Sequence, residues 1–279
     1  MATNLQRHLA AKKTLGLIYS NRTMSRGAAL QALGAIPEPN FEKLVSQYGI
    51  IFTMVSNDTV LQRLLSTVVG SSQSLKDKVF VDCSTVHPET RRSSAGPQLP
   101  WMASLSLPLV VPKSATEAVK PLIQDVMGRR VIDCGEDATK SSLLKIAGNI
   151  ITVNIMEAVG EAQVFAEKTG LGTGPMEELI GEALGSFAGG YSKRLTADAY
   201  APPLNSRPGF RVSLAIRDSR HAMSMAQEQG VELPGLEIAR ANMEAAREYG
   251  GECLDSSAMY GTLRQKAGLE FWNEKSRRE

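Results

Sequence analysis

Every stretch with the apolar, β-branched character of a strand lies before Gly135. The strand candidates are Thr14–Ser20, Gly49–Val55, Val79–Asp82, Ser104–Val111 and Arg129–Asp133. Helical patterns separate them at Ser25–Leu33, Phe41–Gln47, Asp58–Val68 and Ala115–Val126. Strands that alternate with helices imply a parallel sheet with helices packed on it. Beyond Gly135 the strand signal stops. One long helix comes next, then helical patterns at Pro175–Leu184, Val212–Gln229, Pro234–Tyr249 and Ser257–Lys266, with a proline-rich loop at Ala199–Phe210. The chain therefore reads as an α/β domain over residues 1–135 and an all-α domain over residues 136–279, entered through the long helix.

That helix, KIAGNIITVNIMEAVGEAQVFAEKTG, runs from Lys145 to Gly170. Its apolar residues surround the axis, as expected of a buried helix. Lys145 and Asn149 are four apart, so they share one face, and Thr152 continues the stripe. Gly148 and Gly160 lower helix propensity by roughly 1 kcal/mol each relative to Ala. Both are expected where something packs close to the backbone.

Net charge is +2, and no basic stripe interleaved with aromatics is present, which gives nucleic acid no footprint. No uninterrupted apolar run approaches the roughly 18 residues of a membrane span. Cys83, Cys134 and Cys253 are odd in number and widely spaced, as in a reduced intracellular protein. His8, His87 and His221 have no metal-ligand spacing. No acidic residue precedes Glu38, whereas Arg7, Lys12, Lys13, Arg22 and Arg26 do. Such a bias suits a mitochondrial presequence. The segment ATNLQRHLAAKK also suits a first helix feeding the strand TLGLIYS, and that preferred reading implies a cytoplasmic protein.

An α/β domain invites a search for G-x-G-x-x-G, whose glycines bring the backbone to a pyrophosphate at a helix N-terminus. None is found; GLGTG at Gly170–Gly174 has the wrong spacing and comes after a helix. Strand ends are more informative, because ligands of open α/β sheets gather at the C-terminal ends of the strands. Asn21, Arg22 and Thr23 end the first strand candidate with charge and donors but no carboxylate, where an acid favours NAD and Arg a 2′-phosphate. A solvated turn is the structural alternative. In VDCSTVHP, Ser84 and Thr85 hydroxyls stand at another strand end; in MVSND, Ser56 and Asn57 do the same. Helix capping accounts equally well for these types.

Together NRT, VDCSTVHP, KIAGN, EAVGEAQVFAEKTGL, FRVSLAIRD and LDSSAMYGTL, in this order, resemble the β-hydroxyacid dehydrogenase superfamily. This is the group of 3-hydroxyisobutyrate dehydrogenase and 6-phosphogluconate dehydrogenase. The resemblance implies a Rossmann-like domain and a helical domain, a nicotinamide cofactor, a small hydroxy-acid or carbonyl substrate, and a homo-oligomer formed through the helical domain. By the same match Lys145 is the catalytic acid–base, Asn149, Ser84 and Thr85 touch substrate, and Asn21, Arg22, Thr23, Ser56, Asn57, Thr85 and Arg217 line the cofactor. NADP is the expected form, because Arg22 replaces an acid. Arg217-Asp218 stands for the family's Lys-Asp pair, Thr139 for a glycine ahead of the lysine, and the substrate-loop segment expected between Arg92 and Lys113 is shortened.

The family's first strand and G-x-G-x-x-G precede the stretch at which this sequence begins. In the strand order 3-2-1-4-5-6 that strand is central. Without it, either Thr14–Ser20 pairs directly with Gly49–Val55 or the N-terminal domain stays loose, and weak NADPH binding is expected. A non-catalytic, dimerising relative that has lost cofactor binding is the alternative reading.

Overall fold

The computed structural model describes residues 1–71, 74–90, 102–104, 108–109, 113–128, 131–135 and 137–276. The chain divides into two compact units, Met1–Lys145 and Ile146–Glu279. The division falls inside the long helix, ten residues beyond the Gly135 at which the strand signal stops.

The first unit opens with α1 (Ala2–Ala11), β1 (Ile18–Tyr19), α2 (Ala28–Gln31) and β2 (Ile36–Pro37). It continues with α3 (Phe41–Gln47), β3 (Ile50–Thr53), α4 (Asp58–Val69) and β4 (Val79–Asp82). Short β5 (Met102–Ser104) and β6 (Pro108–Leu109), α5 (Lys113–Ile123) and β7 (Ile132–Asp133) complete it. Of the strand expected over Ser104–Val111, only Ser104 at the end of β5 and the two residues of β6 fall among the described residues, and most of Arg92–Lys113 lies outside them. Every strand pairing is parallel: β1 with β2, β3 with β4, β4 with β5, β6 with β7.

Local chemistry sets several of these elements. Asn40 and Asn57 cap α3 and α4, their Oδ1 atoms accepting from the backbone N–H of Lys43 and Val60 at 2.9 Å each. Leu61, Leu65 and Val68 form the buried stripe of α4 and meet Ile51 and Phe80. Val79 and Val81 belong to a second cluster with Val119 and Ile123 of α5. Alternate residues of β4 thus serve opposite faces of one sheet, as a doubly wound arrangement requires. Among the described residues, β1–β2 and β3–β4–β5 are separate sheets. The direct pairing of Thr14–Ser20 with Gly49–Val55 is therefore not formed, and the divide falls where the doubly wound order places a central strand.

The second unit is helical. It is built on α6 (Ala138–Thr169), α7 (Thr173–Thr196), α8 (Val212–Glu228), α9 (Pro234–Gly250) and α10 (Met259–Lys266), with a 3₁₀ turn at Ser256–Ala258. Ile146, Val153 and Met156 of α6 share a core with Ile216 of α8 and with Leu236 and Met243 of α9. Gly160 serves close packing, because a Cβ there would lie 2.8 Å from Leu263. Gly148 does not: nothing stands within 4 Å of an added Cβ, and it is exposed. Nor is α6 buried all round, since Ile151 and Phe165 are 60% and 62% exposed. By length and composition Thr139–Thr169 is long and apolar enough to cross a bilayer. Its buried residues nevertheless make it a core helix of this unit, and Glu157 lies among them. Helix α7 breaks at Gly185, whose φ of 77° only glycine adopts readily, so the helix expected to end at Leu184 does stop there before resuming.

Candidate active site

The parallel pairing of β3 and β4 puts their C-terminal ends on one edge, and buried Asp82 organises that edge. Its Oδ1 accepts from Thr53 Oγ1 at 2.9 Å, from Ser84 Oγ at 2.8 Å and from the Ser84 N–H at 3.2 Å. Ser84 Oγ in turn accepts from the N–H of Val55 at 2.8 Å. One carboxylate and one hydroxyl thereby lock the turn after β4 to the turn after β3. Ser84 is only 3% exposed, so its hydroxyl is occupied with this tie, while the neighbouring Thr85 is half-buried. Ser56 is exposed; Asn57 is occupied as the cap of α4. Asp58 Oδ1 accepts from the N–H of His87 at 2.8 Å, a second link between the same two turns.

Asn21, Arg22 and Thr23 come directly after β1 and are all exposed. Asn21 Oδ1 accepts from the N–H of Thr23 at 3.0 Å, a tight Asx turn that leaves Arg22 at its tip. Among the described residues the Arg22 guanidinium has no acidic partner. A planar fork with that freedom suits a phosphate monoester.

Lys145 is half-buried on α6. One turn on, Asn149 Nδ2 donates to Asp218 Oδ2 at 2.9 Å. Asp218 Oδ1 accepts from Nε and Nη2 of Arg217, at 3.0 and 2.6 Å. The structure thus joins two of the expected site residues, Asn149 and Arg217, through the carboxylate of Asp218. It also shows Asp82 as the organiser of the Ser84 turn. In the sequence Asp218 stands only as the partner of Arg217, and Asp82 only as the residue two before Ser84; their ties to Asn149 and Thr53, tens of residues away, come from the fold.

Residues 1–96 match the family described as "NAD binding domain of 6-phosphogluconate dehydrogenase". Residues 140–263 match "NAD-binding of NADP-dependent 3-hydroxyisobutyrate dehydrogenase". The chain is 29% identical to the NADH-dependent oxidoreductase ucdB of Aspergillus ustus, with 97% of each chain covered. It is 27% identical to the 2-hydroxy-3-oxopropionate reductase of Escherichia coli, over 94% of this chain and 92% of that one. Among solved structures, 3-hydroxyisobutyrate dehydrogenase of Salmonella typhimurium has a TM-score of 0.75 at 16% identity, covering 93% of this chain and 95% of that one. The Mycobacterium tuberculosis 3-hydroxyisobutyrate dehydrogenase with L-serine has a TM-score of 0.71 at 19% identity, over 94% and 95% of the two chains. At such identities the structural likeness establishes the fold: a Rossmann-like unit followed by a helical one. Both family matches, taken with the ordered motifs and that fold, place this chain in the β-hydroxyacid dehydrogenase superfamily, the oxidoreductases related to 3-hydroxyisobutyrate dehydrogenase.

Proposed function

We propose that the chain interconverts a small β-hydroxy acid and the corresponding carbonyl compound, using NADP(H). The observation that carries this reading is the α6 face on which Lys145 is followed one turn later by Asn149, itself held by Asp218. Relatives whose names record oxidoreductase or reductase activity support it. When bound, a nicotinamide supplies or accepts the hydride. Asn21, Arg22 and Thr23 at the end of β1 would hold the adenosine ribose and its 2′-phosphate, with Ser56, Thr85 and Arg217 contributing elsewhere along the cofactor. Lys145, as an ammonium, gives its proton to the carbonyl oxygen during reduction and takes it back during oxidation, which is general acid–base catalysis. Asn149 and Thr85 orient the substrate. Turnover of 3-hydroxyisobutyrate with NADP⁺ that falls by about 10²–10⁴-fold in Lys145→Ala supports this assignment. A Lys145→Ala variant with wild-type kcat overturns it.

The same reading includes a homo-oligomer formed through the helical unit. Leu144, Gly148, Ile151, Ile155, Ala158, Ala162 and Phe165 recur at alternating spacings of four and three along α6. Leu144, Ile151 and Phe165 are 37%, 60% and 62% exposed. An apolar seam with coiled-coil spacing, exposed at Leu144, Ile151 and Phe165 while Ile155 and Ala162 also pack against the unit's own core, suits a second helix packed along it. Sedimentation of Ile151→Glu against wild type tests this, a monomeric wild type being the contrary result.

A further inference from the structure

We propose that Asp218 is a positioning residue that turns the side-chain amide of Asn149 so that its carbonyl oxygen faces the ligand. Asn149 then recognises a hydrogen-bond donor, the hydroxyl of the substrate, and not its carboxylate. This inference rests on the dehydrogenase reading above and sharpens it.

Asp218 is 2% exposed, and both of its oxygens are engaged: Oδ1 by Arg217, Oδ2 by Asn149. The adjacent guanidinium keeps this carboxylate ionised, because a buried charge persists when it is paired and hydrogen-bonded. An ionised carboxylate only accepts. The Asn149 group that meets it must therefore be the NH₂, which settles the orientation of the amide on chemical grounds. Asn149 Oδ1 is left turned from Asp218, and among the described residues it takes no hydrogen bond. Asn149 is half-buried and stands one turn from Lys145, so an acceptor is displayed on the face that carries the proposed acid–base. A substrate hydroxyl is a donor and meets that oxygen; a carboxylate would be repelled by it. The second N–H of the same amide provides the rival mode of recognition, and a side-chain swap separates the two.

In Asn149→Asp/Asp218→Asn, the introduced amide at 218 can still accept from Arg217 and donate to the carboxylate at 149. The other oxygen at 149 then remains an acceptor, but no N–H is left at that position. The test measures kcat and KM for 3-hydroxyisobutyrate and KM for NADP⁺ in the wild type, both single variants and the double variant, with urea unfolding of all four. Each single change should lower kcat/KM for the hydroxy acid by about 10²-fold, the scale of a misplaced reacting group. The double variant should recover at least about tenfold of that loss, in the hydroxy-acid parameters and beyond any change in KM for NADP⁺, which Asp218 can also reach through Arg217. The unfolding equilibrium should show coupling between positions 149 and 218 of about tenfold, as for a hydrogen bond to a charged group. A double variant no better than the single ones overturns recognition through the acceptor. A loss carried wholly by KM for NADP⁺ assigns Asp218 to the support of Arg217 and overturns its positioning of Asn149. Absence of coupling in unfolding overturns the positioning role whatever the activity. A wild type that turns over no β-hydroxy acid while the coupling persists overturns the dehydrogenase reading alone.

Discussion

Asn242 Nδ2 on α9 donates to Glu157 Oε1 on α6, joining two helices through side chains that are 1% and 6% exposed. Lys266 Nζ donates to Asn242 Oδ1 at 2.6 Å, so a polar chain runs from exposed Lys266 on α10 through buried Asn242 on α9 to buried Glu157 on α6. Among the described residues Glu157 Oε2 has no hydrogen-bond partner. Burial pushes the Glu157 carboxyl up to about 7; the hydrogen bond from Asn242 opposes this, nearby Glu161 adds to it, and Lys266 counters. A carboxylic acid that stays protonated near neutrality is the response expected of a group buried with one unsatisfied oxygen.

Stability should therefore fall as pH rises from about 4.5 to about 7. Over that window the unfolded chain releases the Glu157 proton while the folded chain retains it, so unfolding gains with pH. Above the folded value the effect levels off. Glu157→Gln removes the titration but keeps an acceptor for Asn242. It should match wild type near pH 5 and exceed it at pH 8 by on the order of 2–3 kcal/mol. Urea unfolding of both proteins across pH 5–8 checks this. Parallel stability curves would show that Glu157 is ionised in the fold.

Gly261 marks a contact with no room for a side chain. A Cβ there would lie 2.5 Å from Cε2 and Cζ of Phe271, which is fully buried. Phe271 stacks on Tyr249 at 4.5 Å between ring centres, and its carbonyl accepts from the Tyr200 hydroxyl at 2.9 Å, so it cannot step aside cheaply. Gly261→Ala should cost about 1–3 kcal/mol, the usual range for overpacking. Adding Phe271→Leu should relieve part of that cost, giving a double variant more stable than the sum of the single ones. Additive losses would place the strain elsewhere.

Much of the fold was legible in the sequence wherever the cause is local. Asn57 caps a helix, the Phe41–Gln47 pattern is a helix with those bounds, and a helical run ends at Leu184, before Gly185. Tertiary causes were not legible. Ile36–Pro37 is a strand only because Leu17 and Tyr19 offer carbonyls to the N–H groups of Ile36 and Glu38. Gly148 and Gly160 look alike in sequence, yet only Gly160 has a neighbour, Leu263, from a distant helix. The apolar circumference of α6 reads as burial, whereas a single chain covers only part of it and leaves Ile151 and Phe165 in solvent. At the candidate site the sequence offers Lys145, Asn149 and the Arg217-Asp218 pair, but the ties of Asp218 to Asn149 and of Asp82 to Thr53 emerge only from the folded chain.

Arg22 should set cofactor choice. Its guanidinium stands exposed at the tip of the Asn21–Thr23 turn, and no carboxylate in that turn is available for a ribose diol. NADPH should bind more tightly than NADH, with Arg22→Ala removing most of the difference, because a charge-assisted bond to phosphate contributes about 1.5–3 kcal/mol. The name of the Aspergillus ustus relative records NADH dependence, which makes the comparison discriminating. Kd values for both dinucleotides, with and without the substitution, decide it. Unchanged selectivity in Arg22→Ala removes Arg22 from the cofactor site.

The β1–β2 and β3–β4–β5 sheets of the first unit should differ in how readily they open. β4 is buried along its whole length and paired on both sides, with β3 through Ile50–Thr53 and with β5 through Met102–Ser104. β1 has two residues, pairs among the described residues with β2 alone, and begins beside exposed Ile36. Opening free energy depends on buried apolar contact and ladder length, and an isolated strand pair is marginal in water. The amides of Ile36 and Glu38, bonded to Leu17 and Tyr19, should therefore exchange at least about tenfold faster than those of Val79 and Cys83, bonded to Gly49 and Thr53. Because the Asn21–Thr23 turn comes directly after β1, NADPH should slow exchange at Ile36 and Glu38 more than at Val79. Hydrogen exchange with and without the dinucleotide measures both differences. Equal protection at all four amides in the free chain would mean that the sheets open as one unit, and that β1 is fixed before any cofactor binds.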